Sequence, residues 1–171
     1  MTGTDNPDFD DLLTAATEVA AALRARGERV AVSESAAGGL VNAALVAVPG
    51  ASDFYIGGMV VYTAAGRYVL AGDQPLPEGL RGATEEFAVY QATTAAARYR
   101  AEWGIGETGA TGPAGNPYGD PPGHGWVACH RVDGGSSSTE QLGTGSDDRT
   151  ANMHRFALAA LQLAARQITA G

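Results

Sequence analysis

The chain contains no lysine; all eleven of its basic residues are arginine. A mechanism that needs a lysine amine as a proton acceptor is therefore closed to this polypeptide alone. There is a single cysteine, Cys129. That excludes an internal disulfide and a thiolate metal cluster, and it fits a reducing cytoplasm. No apolar run reaches the roughly 18 residues that a membrane span needs. The opening MTGTDNPDFDD is acidic and polar and does not read as a signal peptide. Positive charge is scarce, with a formal net charge of −8, which argues against a nucleic-acid groove or an anionic membrane surface as partner. His124, His130 and His154 lack metal-ligand spacing, so no metal site is expected.

What is present is alanine, glycine and clear periodicity over 171 residues, enough for one domain with a real core. Residues 1–7 read as a loose tail and 8–171 as a single domain. Phe9, Leu12, Leu13, Ala16, Val19, Ala20 and Leu23 recur at helical spacing, with Gly27 as a stop. RVAVSES reads as a buried strand, GGLVNAALVAV as a helix ended by Pro49-Gly50, and GGMVVYT (57–63) as a second buried strand. A short helical piece follows through Leu70. Thr84 can cap a helix from Glu85 to about Ala101. Residues 104–125 are so rich in Gly and Pro that they read as a long loop or a series of turns. WVACHRV and SSTEQLGT read as a hairpin about Asp133-Gly134-Gly135, and Met153 to Ile168 as a closing helix. Cys129 and His130 alternate in the first of these strands, so one of them faces inward. Helices interleaved with strands, plus the late hairpin, predict an α/β fold with a mixed, mainly parallel sheet.

Three segments carry chemistry. In SESAAGG, Ser35 stands where a strand hands over to a helix; it is either a nucleophile or a helix cap. Gly38 and Gly39 would let backbone N–H groups approach a ligand at the helix start. Tyr62 and Arg67 follow the second strand, and in open α/β sheets ligands collect at the carboxyl ends of strands. Thr108, Gly109 and Gly112 lie in TGATGPAG, which can form a nest of N–H groups for an oxyanion. It lacks the Gly-Lys-Ser/Thr of a phosphate-binding loop, and no helix pattern follows it. His124 lies in the Gly/Pro segment and has no identifiable partner.

Together these segments resemble the C-terminal domain of the CinA family, from about residue 8 to 169. Glu34-Ser35-Ala36-Ala37-Gly38-Gly39 is similar to the family's Glu-Ser-Cys-Thr-Gly-Gly. Pro49-Gly50-Ala51-Ser52 resembles its Pro-Gly-Ser/Ala-Ser, and Val61 to Arg67 its Thr-Tyr-Ser-Asn-x-x-Lys. Thr84-Glu85-Glu86, Thr108 to Pro113 and Pro122 to Trp126 match later motifs in order. The resemblance implies a three-layer α/β/α sandwich in a stand-alone form, since longer members carry a further N-terminal domain. It implies hydrolysis of nicotinamide mononucleotide to nicotinic acid mononucleotide and ammonia, with no cofactor. It also implies a phosphorylated pyridine nucleotide as ligand, a cytoplasmic setting and a homo-oligomer. Ser35 takes the nucleophile position, and Tyr62 is a matching site residue. Glu34, Gly38, Gly39, Thr108, Gly109 and Gly112 take the substrate and oxyanion region.

Arg67 takes the position of the family's catalytic lysine. A guanidinium stays protonated at neutral pH and cannot act as a base. Ala36 and Ala37 stand where the family has Cys and Thr, and Ala64 where it has Asn. The sequence thus keeps the pocket's frame and an arginine able to grip phosphate, while its amidase chemistry is expected to be weak, altered or absent. A non-catalytic nucleotide-binding or interaction subunit is the alternative. Gly145 to Arg149, GSDDR, matches the family's Gly-Asp-Arg ambiguously, so Arg149 receives no role.

Overall fold

The computed structural model describes residues 6–171; residues 1–5 of the expected tail lie outside that range. Helix α1 (Phe9–Arg26) opens the fold. Asp8 accepts from the Asp10 and Asp11 amides, and Asp11 returns the bond to the Asp8 amide. This capping box satisfies donors that the helix itself leaves unpaired. Gly27, at φ 65°, closes the other end by turning its N–H onto the Leu23 and Arg24 carbonyls.

The chain continues as β1 (Val30–Glu34), α2 (Leu40–Ala47), β2 (Tyr55–Val60), α3 (Ala64–Ala71) and α4 (Glu85–Tyr99). It then forms β3 (Trp103–Gly109), β4 (His124–Arg131), β5 (Ser136–Gly143) and α5 (Arg149–Ala170). The sheet order is β2-β1-β3-β4-β5. β1 runs parallel to β2 and β3, and β4 is antiparallel to both β3 and β5. β4 is therefore the one strand that runs against the rest, and the sheet is mixed as expected.

Helices α1, α2 and α5 pack together over one face, while α4 covers β1, β3 and β4 on the other. This makes an α/β/α sandwich. The two faces are built differently. Leu12, Leu23, Val32, Ile105, Leu161 and Ile168 belong to one large aliphatic core on the α1/α2/α5 side. Ala88, Ala92 and Ala95 line the α4 side in small clusters.

The structure corrects two expectations. Residues 104–125 are not irregular throughout: their first part is strand β3, and β4 begins at His124. The glycines that suggested a loop have a packing cause. A Cβ at Gly104 would lie 1.9 Å from the Ala92 carbonyl oxygen, and one at Gly106 would lie 2.0 Å from that of Ala88. Only glycine lets the α4 backbone rest directly on the strand. The second correction concerns β2, which is half-buried along its length because it forms an edge of the sheet. It also starts at Tyr55, two residues earlier than its sequence pattern suggests. In β4, Cys129 faces inward and His130 is half-exposed.

Candidate functional site

The carboxyl ends of the parallel strands β1, β2 and β3 meet at one edge of the sandwich. The chain leaves β1 into α2 on one face and returns from β2 through α3 and α4 on the other. Such a reversal opens a crevice at the strand ends. A cleft of about 310 Å³ lies there, lined by Ser35, Tyr62, Arg67, Thr108, Gly109 and Tyr118 among others. Five of the residues singled out in the sequence thus converge. Glu34, Gly38, Gly39 and Gly112 do not line it.

Ser35 is nearly buried, 8 % exposed, and its Oγ donates to the Glu107 carbonyl at 3.2 Å. It does not cap α2. Gly39 holds the cap position, at φ 102°, and offers no side chain. The capping anion is Glu34 from the preceding strand. Its Oε1 accepts from the Asn42 amide at 2.9 Å and from Asn42 Nδ2 at 2.5 Å, and its Oε2 accepts from the Val41 amide at 3.3 Å. Burial raises the Glu34 pKa against the pull of these donors.

The residue that sequence reasoning missed is Glu107. It is wholly buried in β3, on the same side as Ile105 by strand alternation. Its Oε2 accepts from the Ser35 amide at 3.0 Å and the Ala37 amide at 2.9 Å, while Oε1 has no partner. Its backbone carbonyl accepts from the Ser35 amide and hydroxyl, and from Gln91 Nε2 at 2.6 Å. Burial pushes its carboxyl up to about 8, with the Glu34 carboxylate adding to the rise. The sequence held one signal: an acidic residue inside a segment otherwise made of Gly, Thr and Ile.

Arg67 is half-buried and stacks 4.7 Å from the Phe87 ring centroid. Among the described residues it makes no salt bridge, and no carboxylate lines the cleft. Thr108 Oγ1 accepts from the Ala83 amide at 3.0 Å, which leaves its hydroxyl proton to give. Arg149, to which the sequence gave no role, donates to the Tyr62 hydroxyl and to the Gly112 carbonyl, both at 2.7 Å. It ties the end of β2 to the loop after β3. His124 sits beside the cleft with Nε2 3.0 Å from the Ala83 carbonyl. Asp120 pairs with Arg81 at 2.7 Å, holding the loop that brings Asn116, Pro117 and Tyr118 to the cleft.

In chemical terms, the cleft offers a serine hydroxyl, two phenols, a threonine proton and one unpaired guanidinium. Among the described residues no lysine, histidine or carboxylate is hydrogen-bonded to Ser35 Oγ. No group of three His, Cys, Asp or Glu side chains there could hold a metal ion. No helix of the described chain is long and apolar enough to cross a membrane.

The sequence matches the family model for the CinA C-terminal domain over residues 12–168. The chain belongs to the CinA family. A CinA-like protein of Salinibacter ruber is 34% identical over 149 residues, covering 86% of this chain and 35% of the relative. One from Anaeromyxobacter sp. is 39% identical over 150 residues, covering 86% and 36%. The chain therefore spans about a third of the length of the curated CinA-like relatives it matches. Its fold is similar to that of a solved CinA superfamily protein from Escherichia coli, with TM-score 0.82 and 28% identity over 95% of this chain and 94% of that one. A superfamily protein from Klebsiella pneumoniae gives TM-score 0.84 and 25% identity over 94% and 99%. Ser35, Tyr62, Arg67 and Thr108 all fall within the CinA match.

Proposed function

We propose that this CinA domain binds a small phosphorylated ligand of the pyridine-nucleotide kind in the Ser35 cleft, with little or no amide hydrolysis. The observation that carries the reading is Arg67: a half-buried, unpaired guanidinium in a cleft without a carboxylate. A cation so placed suits a phosphate, which guanidinium binds through two parallel N–H bonds. Tyr62 and Tyr118 supply aromatic surface on the same walls.

Amide hydrolysis through Ser35 would need a base to take the Oγ proton as the oxygen attacks the amide carbon and ammonia leaves. Here that proton points at a backbone carbonyl, which cannot accept it permanently. General-base assistance is worth roughly 10²–10⁴-fold in rate, so turnover at or below that deficit is expected.

The test is calorimetric titration with nicotinamide mononucleotide, paired with a timed ammonia assay and Ser35→Ala as control. Saturable binding that weakens about 10–100-fold in Arg67→Ala is expected, the worth of one charged hydrogen-bonded contact. Absence of binding sinks the reading. Rapid turnover abolished by Ser35→Ala would overturn the loss of chemistry. Arg67→Lys alone is expected not to restore full rate, because Ala36, Ala37 and Ala64 also differ from the family pattern.

A second reading, an interaction subunit or homo-oligomer, draws on one observation. Val60, Tyr62, Tyr68 and Val69 are all about half or more exposed along the edge formed by β2 and α3. Light scattering separates the two readings: a monomer that binds nucleotide supports the first alone.

A further inference from the structure

We propose that the Glu107 carboxyl is the resident occupant of an N–H nest at the Ser35 turn, an internal ligand that fixes the turn and keeps outside anions from it. Successive backbone amides that converge on one point form a receptor for an oxyanion. At this turn the Ser35 and Ala37 amides converge, and what they hold is Oε2 of Glu107. The adjoining α2 N-terminus, the other place an anion could settle, is filled by Glu34. Both anion-accepting positions around Ser35 are thus taken from within the chain.

The geometry is that of a ligand in a receptor rather than of a side chain finding chance partners. Glu107 is wholly buried, where an unpaired carboxyl oxygen is costly, and its Oε1 is unpaired. The bonds at Oε2 are what hold the carboxyl there. Glu107 also grips the turn from its backbone side, since its carbonyl accepts from the Ser35 amide and hydroxyl. Ala36 and Ala37 bring only methyl groups, and the Ser35 hydroxyl donates to the Glu107 backbone carbonyl, so no side-chain hydroxyl of the turn is bonded to the carboxyl. The nest is shaped for one carboxyl group, and emptied it would take a one-carbon carboxylate such as formate. One consequence rests on the nucleotide reading above: ligand charge is steered to Arg67, and an oxyanion forming at Ser35 would have to draw donors from the Thr108 side. The occupancy of the nest does not depend on that reading.

The test uses Glu107→Ala, which empties the nest. Thermal unfolding is followed with sodium formate against sodium chloride at equal ionic strength. Formate is expected to raise the melting temperature saturably, by roughly 3–6 °C at ten times its dissociation constant. Wild type and Glu107→Gln, whose nests keep an internal oxygen, are expected to show no formate-specific rise. A folded Glu107→Ala that responds equally to both salts overturns the proposal. A second measurement needs only folded wild type. The Ser35 and Ala37 amide resonances are expected to move together in a pH titration and to lose that movement in Glu107→Gln. Glu34, the neighbouring acid that acts on Glu107, remains in both proteins and is controlled by that comparison. Amides that stay still in wild type overturn the proposal even where Glu107→Ala fails to fold. Failure of nucleotide binding would leave both readouts unaffected.

Discussion

Glu34 ends β1 and Glu107 lies near the end of the neighbouring parallel strand β3; both are buried, and both carry carboxyls that receive backbone amides. Their fates differ. Glu34 meets the first turn of α2 and has both oxygens hydrogen-bonded, with a side-chain donor from Asn42 besides. Glu107 meets the tight turn ahead of α2, at Ser35 and Ala37, and one of its oxygens is left bare. A helix start presents several amides in an open crown that both oxygens can use, whereas the tight turn focuses its amides on a single oxygen. Burial by itself therefore does not say what a buried acid does; the number of donors it meets does.

The comparison can be broken most forcefully at Glu34. Glu34→Ala strands the Val41 and Asn42 donors in the interior and is expected to cost about 3–5 kcal/mol in urea unfolding. A loss under 1 kcal/mol would show that water replaces the carboxyl and that Glu34 is not the anchor of α2.

The next effect belongs to Glu107 and depends on pH. Its folded pKa is raised to about 8 from the ordinary 4.5. The folded state therefore holds a proton that the unfolded chain releases. The associated stability is complete below about 4.5 and is lost as pH rises through about 8. Glu107→Gln is expected to remove a decline of a few kcal/mol over that window. The Glu34 shift has the same sign, so a shallower decline should remain. An unchanged pH profile in Glu107→Gln would mean that the carboxyl is ionised at ordinary pH and that the two acids are alike after all.

The smallest effect sharpens the contrast between remote and local capping. α1 is capped by its own exposed Asp8, while α2 borrows Glu34 from the strand before it. Asp8→Ala is expected to cost about 1 kcal/mol, because water can reach the released amides. Equal costs for Asp8→Ala and Glu34→Ala would remove burial as the cause of the difference.

Most of the architecture was legible in the sequence because its helices are long and amphipathic and its caps are local. Asp8, Gly27 and Thr84 mark helix ends by chemistry that acts within a few residues. Strand β3 was illegible for the opposite reason. Gly104 and Gly106 answer to Ala92 and Ala88, which lie on another element, and no local pattern announces that contact. The site divides in the same way. Ser35, Tyr62 and Arg67 follow the ends of strands that the sequence does show and could be gathered by topology, whereas Thr108 lies within β3 and was singled out by its Gly-rich motif. Glu107 could not, since its partners at Ser35 and Ala37 lie some 70 residues away in sequence. Arg149 reaches Tyr62 across a separation of 87 residues, and its role too appears only in three dimensions.

The bare oxygen of Glu107 also gives the molecule a spectroscopic voice of its own. A protonated carboxyl absorbs in the infrared apart from amides and carboxylates; with Oε2 accepting both amides, the proton sits on the bare Oε1 and the band's frequency follows the strength of the bonds at Oε2. Glu107 sits directly beneath the serine of the cleft. Ligand arrival, turn distortion or proton release at that point would therefore register as a change in one isolated vibration. The protein needs no label, dye or added tryptophan for its most informative position to be observed.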